Sequence, residues 1–161
     1  MAAKKKLDNT CSCIPSHKWE LVTTVMYIMY GAAMIIPAFL IEIWITTVIG
    51  ASQLIAVVLV APLLQETLKA LPILGDFAEE FKDRLKLVLI VGFMFGSAEW
   101  MVHFFTQARI LTFGFILHIL FMTPLLVGYN KENRVQNYVA LTICFGLHAA
   151  WNISVLGGLI G

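Results

Sequence analysis

The chain has 161 residues, of which 60% are hydrophobic and only 13% charged, with a mean hydropathy of +0.85. A soluble domain carries about 25% charged and 45–50% apolar residues, so an ordinary soluble globule is excluded and one polytopic membrane domain is indicated. A formal net charge of +1, with no basic helix or nucleic-acid motif, argues against nucleic acid as a partner.

Residues 1–18 read as a polar tail carrying Lys4, Lys5 and Lys6. Cys11 and Cys13 of this tail, with Cys144 in an apolar run, make an odd, scattered set and not a disulfide framework. The first apolar run starts near Leu21, is too long for a signal-peptide core and reads as a retained span over 20–46, with Trp19 as an interfacial anchor. Gly31 and Pro37 are tolerated in a membrane helix. Gly50-Ala51-Ser52 forms a turn, and a second span runs over 53–74. Residues 75–86, GDFAEEFKDRLK, form a charged connection to a third span at 87–107. There Gly92 and Gly96 make a GxxxG face that lets another backbone come close. Arg109 marks a short turn before a fourth span at 110–129; a polar loop at 130–137 leads to a fifth at 138–158. The expected fold class is all-α, a polytopic membrane helix bundle of about five transmembrane helices, with 1–18 as tail and 19–161 as the bundle. No internal repeat of the transporter kind is visible.

Five spans put Lys4, Lys5, Lys6, Lys18, Lys82, Arg84, Lys86, Lys131 and Arg134 on one side and leave only Arg109 on the other. The positive-inside rule then makes the N-terminus cytoplasmic and the C-terminus external, in an integral membrane protein expected in the plasma membrane.

Several polar groups interrupt the spans. Span two carries APLLQETLK, with Gln65, Glu66 and Lys69; span three carries Glu99 and His103; span four carries His118; span five carries His148 and Asn152. Ionisable groups at membrane depth are costly unless paired or hydrated, and they suggest function by default. At 1.5 Å per residue, Glu99, His118 and His148 fall about 12–15 Å below the outer boundary and Glu66 near 20 Å, so four helices bring polar groups to one layer. Glu66 and Lys69 are spaced i,i+3, so they can neutralise each other on one helix face. Glu99 with His103, and His148 with Asn152, are spaced i,i+4. Carboxylates and imidazoles suit general acid–base work on water, and a His–Asn pair suits holding an oxyanion. The G-x-S-x-G and HExxH motifs are absent, and Asp76 and Asp83 lie in a loop.

The ordered set resembles the PrsW-type intramembrane proteases and the broader group that includes the CAAX prenyl endopeptidases. The matching positions are Gln65-Glu66-Thr67-Leu68-Lys69, Gly92 to Glu99, Arg109 with His118, and His148-Ala149-Ala150-Trp151-Asn152. Two positions depart: Trp100 stands where that family has Asn, and Gln65 where it has its first Glu, the expected water activator. The resemblance implies an intramembrane endopeptidase of glutamate or metallo type, acting on a membrane-anchored protein or peptide within the lipid bilayer. Gln65, Glu66, Glu99, His118, His148 and Asn152 would be its catalytic residues, with Lys69, His103 and Arg109 in support. Gln65 implies an inactivated form. The cofactor expectation is either none or zinc, with Glu66, Glu99, His118 and His148 as candidate ligands. A small proton-coupled transporter or channel and a non-catalytic membrane scaffold stand as alternatives.

Overall fold

The computed structural model describes residues 16–48, 50, 52–105 and 114–156, without the side chains of 16–19, 53 and 102–105. The described chain is all-α and forms five helices. Helix α1 is Ser16–Thr47. Helix α2 covers 53–74 in three pieces: a single turn Gln53–Ile55, a π-helical turn Ala56–Val60 and the α-helical stretch Ala61–Leu74. Helix α3 is Phe81–Phe105. Helix α4 is broken into Gly114–Phe121 and Thr123–Gly128. Helix α5 is Arg134–Leu156.

Among the described residues, three segments are long and apolar enough to cross a membrane: Glu20–Thr47, Ala56–Leu74 and Arg134–Leu156; Gly114–Gly128 is apolar but shorter. The burial pattern is inverted relative to a soluble protein. Leu21, Met29, Ile36, Leu40, Leu63 and Val127 face outward, while Gln65, Glu66, Lys69, His118, Asn137 and His148 are buried. Exposed apolar side chains in such number are unusual in a soluble monomer.

Several expected boundaries move. The helix α1 begins at Ser16, so the last residues of the expected tail, 16–18, are helical. The charged connection at 75–86 is only half a loop, because α3 starts at Phe81 with Asp83 in its first turn, where a carboxylate suits the positive end of the helix dipole. The polar stretch 130–137 is likewise half helical. The Asn133 side chain accepts the Gln136 N–H at 3.1 Å, which caps α5 and starts it at Arg134. The fourth span is not one helix: Pro124 has no N–H to offer the turn before it, and α4 breaks at Met122.

Two prolines of α2 free backbone carbonyls, and neighbouring helices answer them. In the π-turn the Ala61 N–H bonds to the Ala56 carbonyl, five residues back. In that register the Val57 carbonyl would look to Pro62, which has no N–H; the Asn152 amide of α5 donates to it instead, at 2.8 Å. Pro72 leaves the Leu68 carbonyl without its helical donor, and the Tyr30 hydroxyl of α1 donates there. Helix α2 is thus pinned to α1 on one side and α5 on the other.

The GxxxG face works as its spacing suggests. A Cβ on Gly96 would stand 2.2 Å from the Phe115 Cα, and one on Gly92 3.0 Å from the Ile119 Cα. Helices α3 and α4 therefore pack backbone to backbone. The hydrophobic core runs beside this seam through Leu87, Val88, Val91, Phe95, Met122 and Leu125. At one end, contacts gather the charged stretches. Lys82 donates to Glu20 and Lys131 to Glu79; Tyr129 donates to Asp76, and the Arg84 guanidinium lies over the Tyr129 ring.

Candidate functional site

Four helices deliver the buried polar groups to one place. Glu66 and Lys69 are one turn apart on α2 and form an ion pair with both side chains fully buried. The seam between α3 and α4 then sets Glu99 against His118. Helices α3 and α4 run antiparallel, Gly96 against Phe115 and Gly92 against Ile119, so Glu99 and His118 lie on either side of the Gly96–Phe115 contact, and their side chains, which lean toward their helix N-termini, meet across it. Their Oε2–Nε2 distance is 2.8 Å. Helix α5 brings His148, whose Nδ1 lies 2.8 Å from Glu66 Oε1.

The ring contacts assign the protons. An ammonium can only donate, so Lys69 Nζ, 3.1 Å from His118 Nδ1, makes that nitrogen the acceptor. His118 Nε2 therefore carries the hydrogen and donates to Glu99. His148 Nδ1 likewise donates to the Glu66 carboxylate, which has no proton of its own to give. The result is one unbroken chain, Glu99–His118–Lys69–Glu66–His148, across all four helices. Phe121 stacks on the His148 ring, with centroids 4.8 Å apart, and the two imidazoles meet edge to face at 4.9 Å. These contacts hold both rings against rotation.

Two oxygens stay outside this network. Glu66 Oε2 and Gln65 Oε1 are buried and accept no hydrogen bond. Glu66 Oε1 takes both Lys69 and His148, so its carboxylate is saturated on one side and open on the other. Buried acceptors of this kind ordinarily find a donor or an ion.

Glu66, His118 and His148 together offer three ligand atoms within 4.8 Å of one another, all buried, a set whose chemistry suits a metal ion. Glu99 reaches this group through His118. The side chain of Glu99 is 26% exposed where that of His118 is 1%, so it forms the outer edge of the site.

The chain matches no protein-family model, no characterised protein and no solved structure. The site therefore rests on its own geometry.

Of the expected catalytic residues, Glu66, Glu99, His118 and His148 are brought together. Gln65 is buried on the same helix, without a hydrogen bond to its oxygen. Asn152 is four residues from His148 on α5, but its amide is committed to the Val57 carbonyl. The side chain of His103 and the whole of Arg109 lie outside the described residues, as do Cys11 and Cys13. Lys69, expected to support the site through Glu66, also bonds the His118 ring; its i,i+3 spacing signals the first contact but nothing in the sequence signals the second. Pro62, not singled out in the sequence, turns out to matter through the carbonyl it frees.

Two surface pockets are apolar and separate from the buried group. One of about 280 Å³ is lined by Phe93, Ser97, Trp100 and Phe115. The other, about 550 Å³, is lined by Ile28, Leu89, Ile90, Phe93, Met94 and Ile119.

Proposed function

We propose that the chain is a five-span integral membrane protein with a cytoplasmic N-terminus, and that its buried centre hydrolyses a peptide bond of a membrane-anchored substrate. This is the activity of the PrsW-type proteases it resembles. The observation that carries the reading is Glu66: a buried carboxylate oriented on one oxygen by Lys69 and His148, with its other oxygen unengaged.

A water drawn to Glu66 Oε2 would lose a proton to it as the oxygen attacks the scissile carbonyl. His148 and Lys69 fix that carboxylate in place. The proton taken up on Glu66 Oε2 is then the one returned to the departing amine, while His118, whose one hydrogen goes to Glu99, orients the Lys69 ammonium through Nδ1. Glu66 thus takes the part that the resemblance gives to position 65. Asn152 serves by holding α5, and with it His148, against the π-turn of α2.

The test is cleavage in reconstituted vesicles holding a panel of membrane-anchored peptides, in water enriched in ¹⁸O. Products from the wild-type chain or from Gln65→Glu, with ¹⁸O in the new carboxylate and none with Glu66→Gln, are expected. No product from either chain sinks the reading.

One observation favours a second reading. The unbroken chain from Glu99 to His148 is also the form a proton path takes. Vesicles loaded with a pH-sensitive dye decide it: proton flux lost in Glu66→Gln, without cleavage, would replace hydrolysis by proton conduction.

A further inference from the structure

The same three residues that suit a metal ion are already served by a cation, and it belongs to the chain. Lys69 Nζ bonds Glu66 Oε1 and approaches His118 Nδ1 at 3.1 Å, and the oxygen it bonds also accepts His148 Nδ1 at 2.8 Å. The ammonium, itself fully buried, touches two of the three groups whose ligand atoms cluster within 4.8 Å. We propose that the Lys69 ammonium is the resident cation of the Glu66–His118–His148 centre, standing where a divalent metal would stand, and that removing it turns the centre into a divalent metal site.

The argument is one of lone pairs and charge. A metal needs an unprotonated ring nitrogen from each histidine. His118 has none to spare while Lys69 is present: Nδ1 accepts from the ammonium and Nε2 holds the hydrogen given to Glu99. His148 turns its Nδ1–H toward Glu66, which leaves only its Nε2 lone pair. Glu66 has Oε2 unengaged, but its charge is answered by Lys69 one helical turn away. A divalent ion would also have to sit beside a fixed positive charge in a low-dielectric interior. Taking the ammonium away reverses the conditions at His118 and Glu66 together. His118 Nδ1 becomes available, Glu66 Oε1 loses one of its two donors, and a buried carboxylate is left without its counter-charge. Donor atoms around a tetrahedral zinc lie about 3.4 Å apart when the bonds are ~2.05 Å. The cluster would thus contract around an ion and not need to assemble. The inference concerns which cation holds the centre, so it stands or falls independently of hydrolysis.

The experiment uses the full chain in detergent, with Co²⁺ as the probe. Wild type, Lys69→Ala and Lys69→Met are compared, each checked for helical content and a cooperative melt. The wild-type chain is expected to show no visible bands of tetrahedral Co²⁺. The folded lysine variants should show them, saturating stoichiometrically, and lose them when His148→Ala is added. The N-terminal tail, with its Cys-x-Cys, is common to all three chains and cannot produce a difference between them. Equal bands in wild type and variants, or a folded Lys69 variant without bands, overturns the proposal. Should the lysine variants not fold, ¹⁵N spectra of the wild-type histidines decide. His118 is expected as the Nε2–H tautomer, unchanged by added Zn²⁺; an Nδ1–H form, or a shift on adding Zn²⁺, overturns it.

Discussion

Lys69 with Glu66, and Lys131 with Glu79, are the same two side chains in opposite surroundings. The first pair is buried, at 0% and 1% exposure, between helices that face apolar surface outward. The second lies at the charged end of the bundle, at 57% and 54%. In the interior each charge depends on the other, because no solvent replaces a lost partner. At the end, water and salt replace it readily. The molecule therefore places its structural and chemical dependence on one cluster, and uses the exposed pairs Glu20–Lys82 and Glu79–Lys131 as surface contacts around the loops.

Breaking the buried side should give the largest effect. Glu66→Ala leaves the Lys69 ammonium buried and unpaired, and such a break costs about 3–5 kcal/mol. Denaturation of the detergent-solubilised protein should show it as a large drop in midpoint. Removing both charges, as Glu66→Leu with Lys69→Met, should recover much of that loss. If the double variant is no better than Glu66→Ala, the pair is not what the interior depends on.

The seam that assembles the cluster is next. Gly96→Ala puts a Cβ 2.2 Å from the Phe115 Cα, which is backbone and cannot swing aside. Overpacking of this kind costs about 1–3 kcal/mol or more. The same substitution should pull Glu99 away from His118, which a changed ¹⁵N shift of His118 Nε2 would report. Gly92→Ala, 3.0 Å from the Ile119 Cα and 2.9 Å from its Cγ1, should do the same more weakly. Normal stability and an unmoved His118 in Gly96→Ala would remove the seam from the account.

The clasp on the π-turn ranks third. Asn152→Ala leaves the Val57 carbonyl without its donor; the bond is part-buried, so the loss should be about 1 kcal/mol. Adding Pro62→Ala supplies a backbone N–H in reach of that register and should restore part of the loss. Absence of any rescue would mean that Asn152 acts through packing and not through the carbonyl.

Much of this was legible in the sequence, and the reasons differ by residue. Hydropathy marks the long apolar segments because the bilayer imposes length and composition together. Counting residues from the helix ends brings Glu66, Glu99, His118 and His148 to one layer, because helical rise is fixed. The GxxxG face states that some backbone approaches, but the partner, Phe115 and Ile119 of α4, depends on tertiary packing. Lys69 reads as the neighbour of Glu66 through i,i+3 spacing. Its bond to His118 links residues 49 apart and has no local signature. Asn152 reads as a partner of His148 because of i,i+4 spacing, whereas its hydrogen bond goes to a carbonyl exposed by a π-turn. The half-helical stretches 75–86 and 130–137 read as loops because charge in a first turn, or an Asn cap, has the composition of a loop, and only the capping bond distinguishes them.

The exposed pair should give the smallest effect, and pH sharpens the contrast. Lys131 is held above its ordinary 10.5 by the hydrogen bond it makes to Glu79 and by the charge of that carboxylate. A raised lysine stabilises the folded chain fully below its unfolded value, and that contribution fades as pH rises through the raised one. Lys131→Ala should therefore lower the unfolding midpoint slightly at neutral pH. The difference from wild type should close when both chains are measured well above 10.5. Added salt should close it too, since exposed pairs are screened. The buried Glu66→Ala effect should resist salt, because ions cannot reach Lys69. A Lys131→Ala loss that rivals that of Glu66→Ala, or that ignores both salt and pH, would end the division between a dependent interior and a tolerant end.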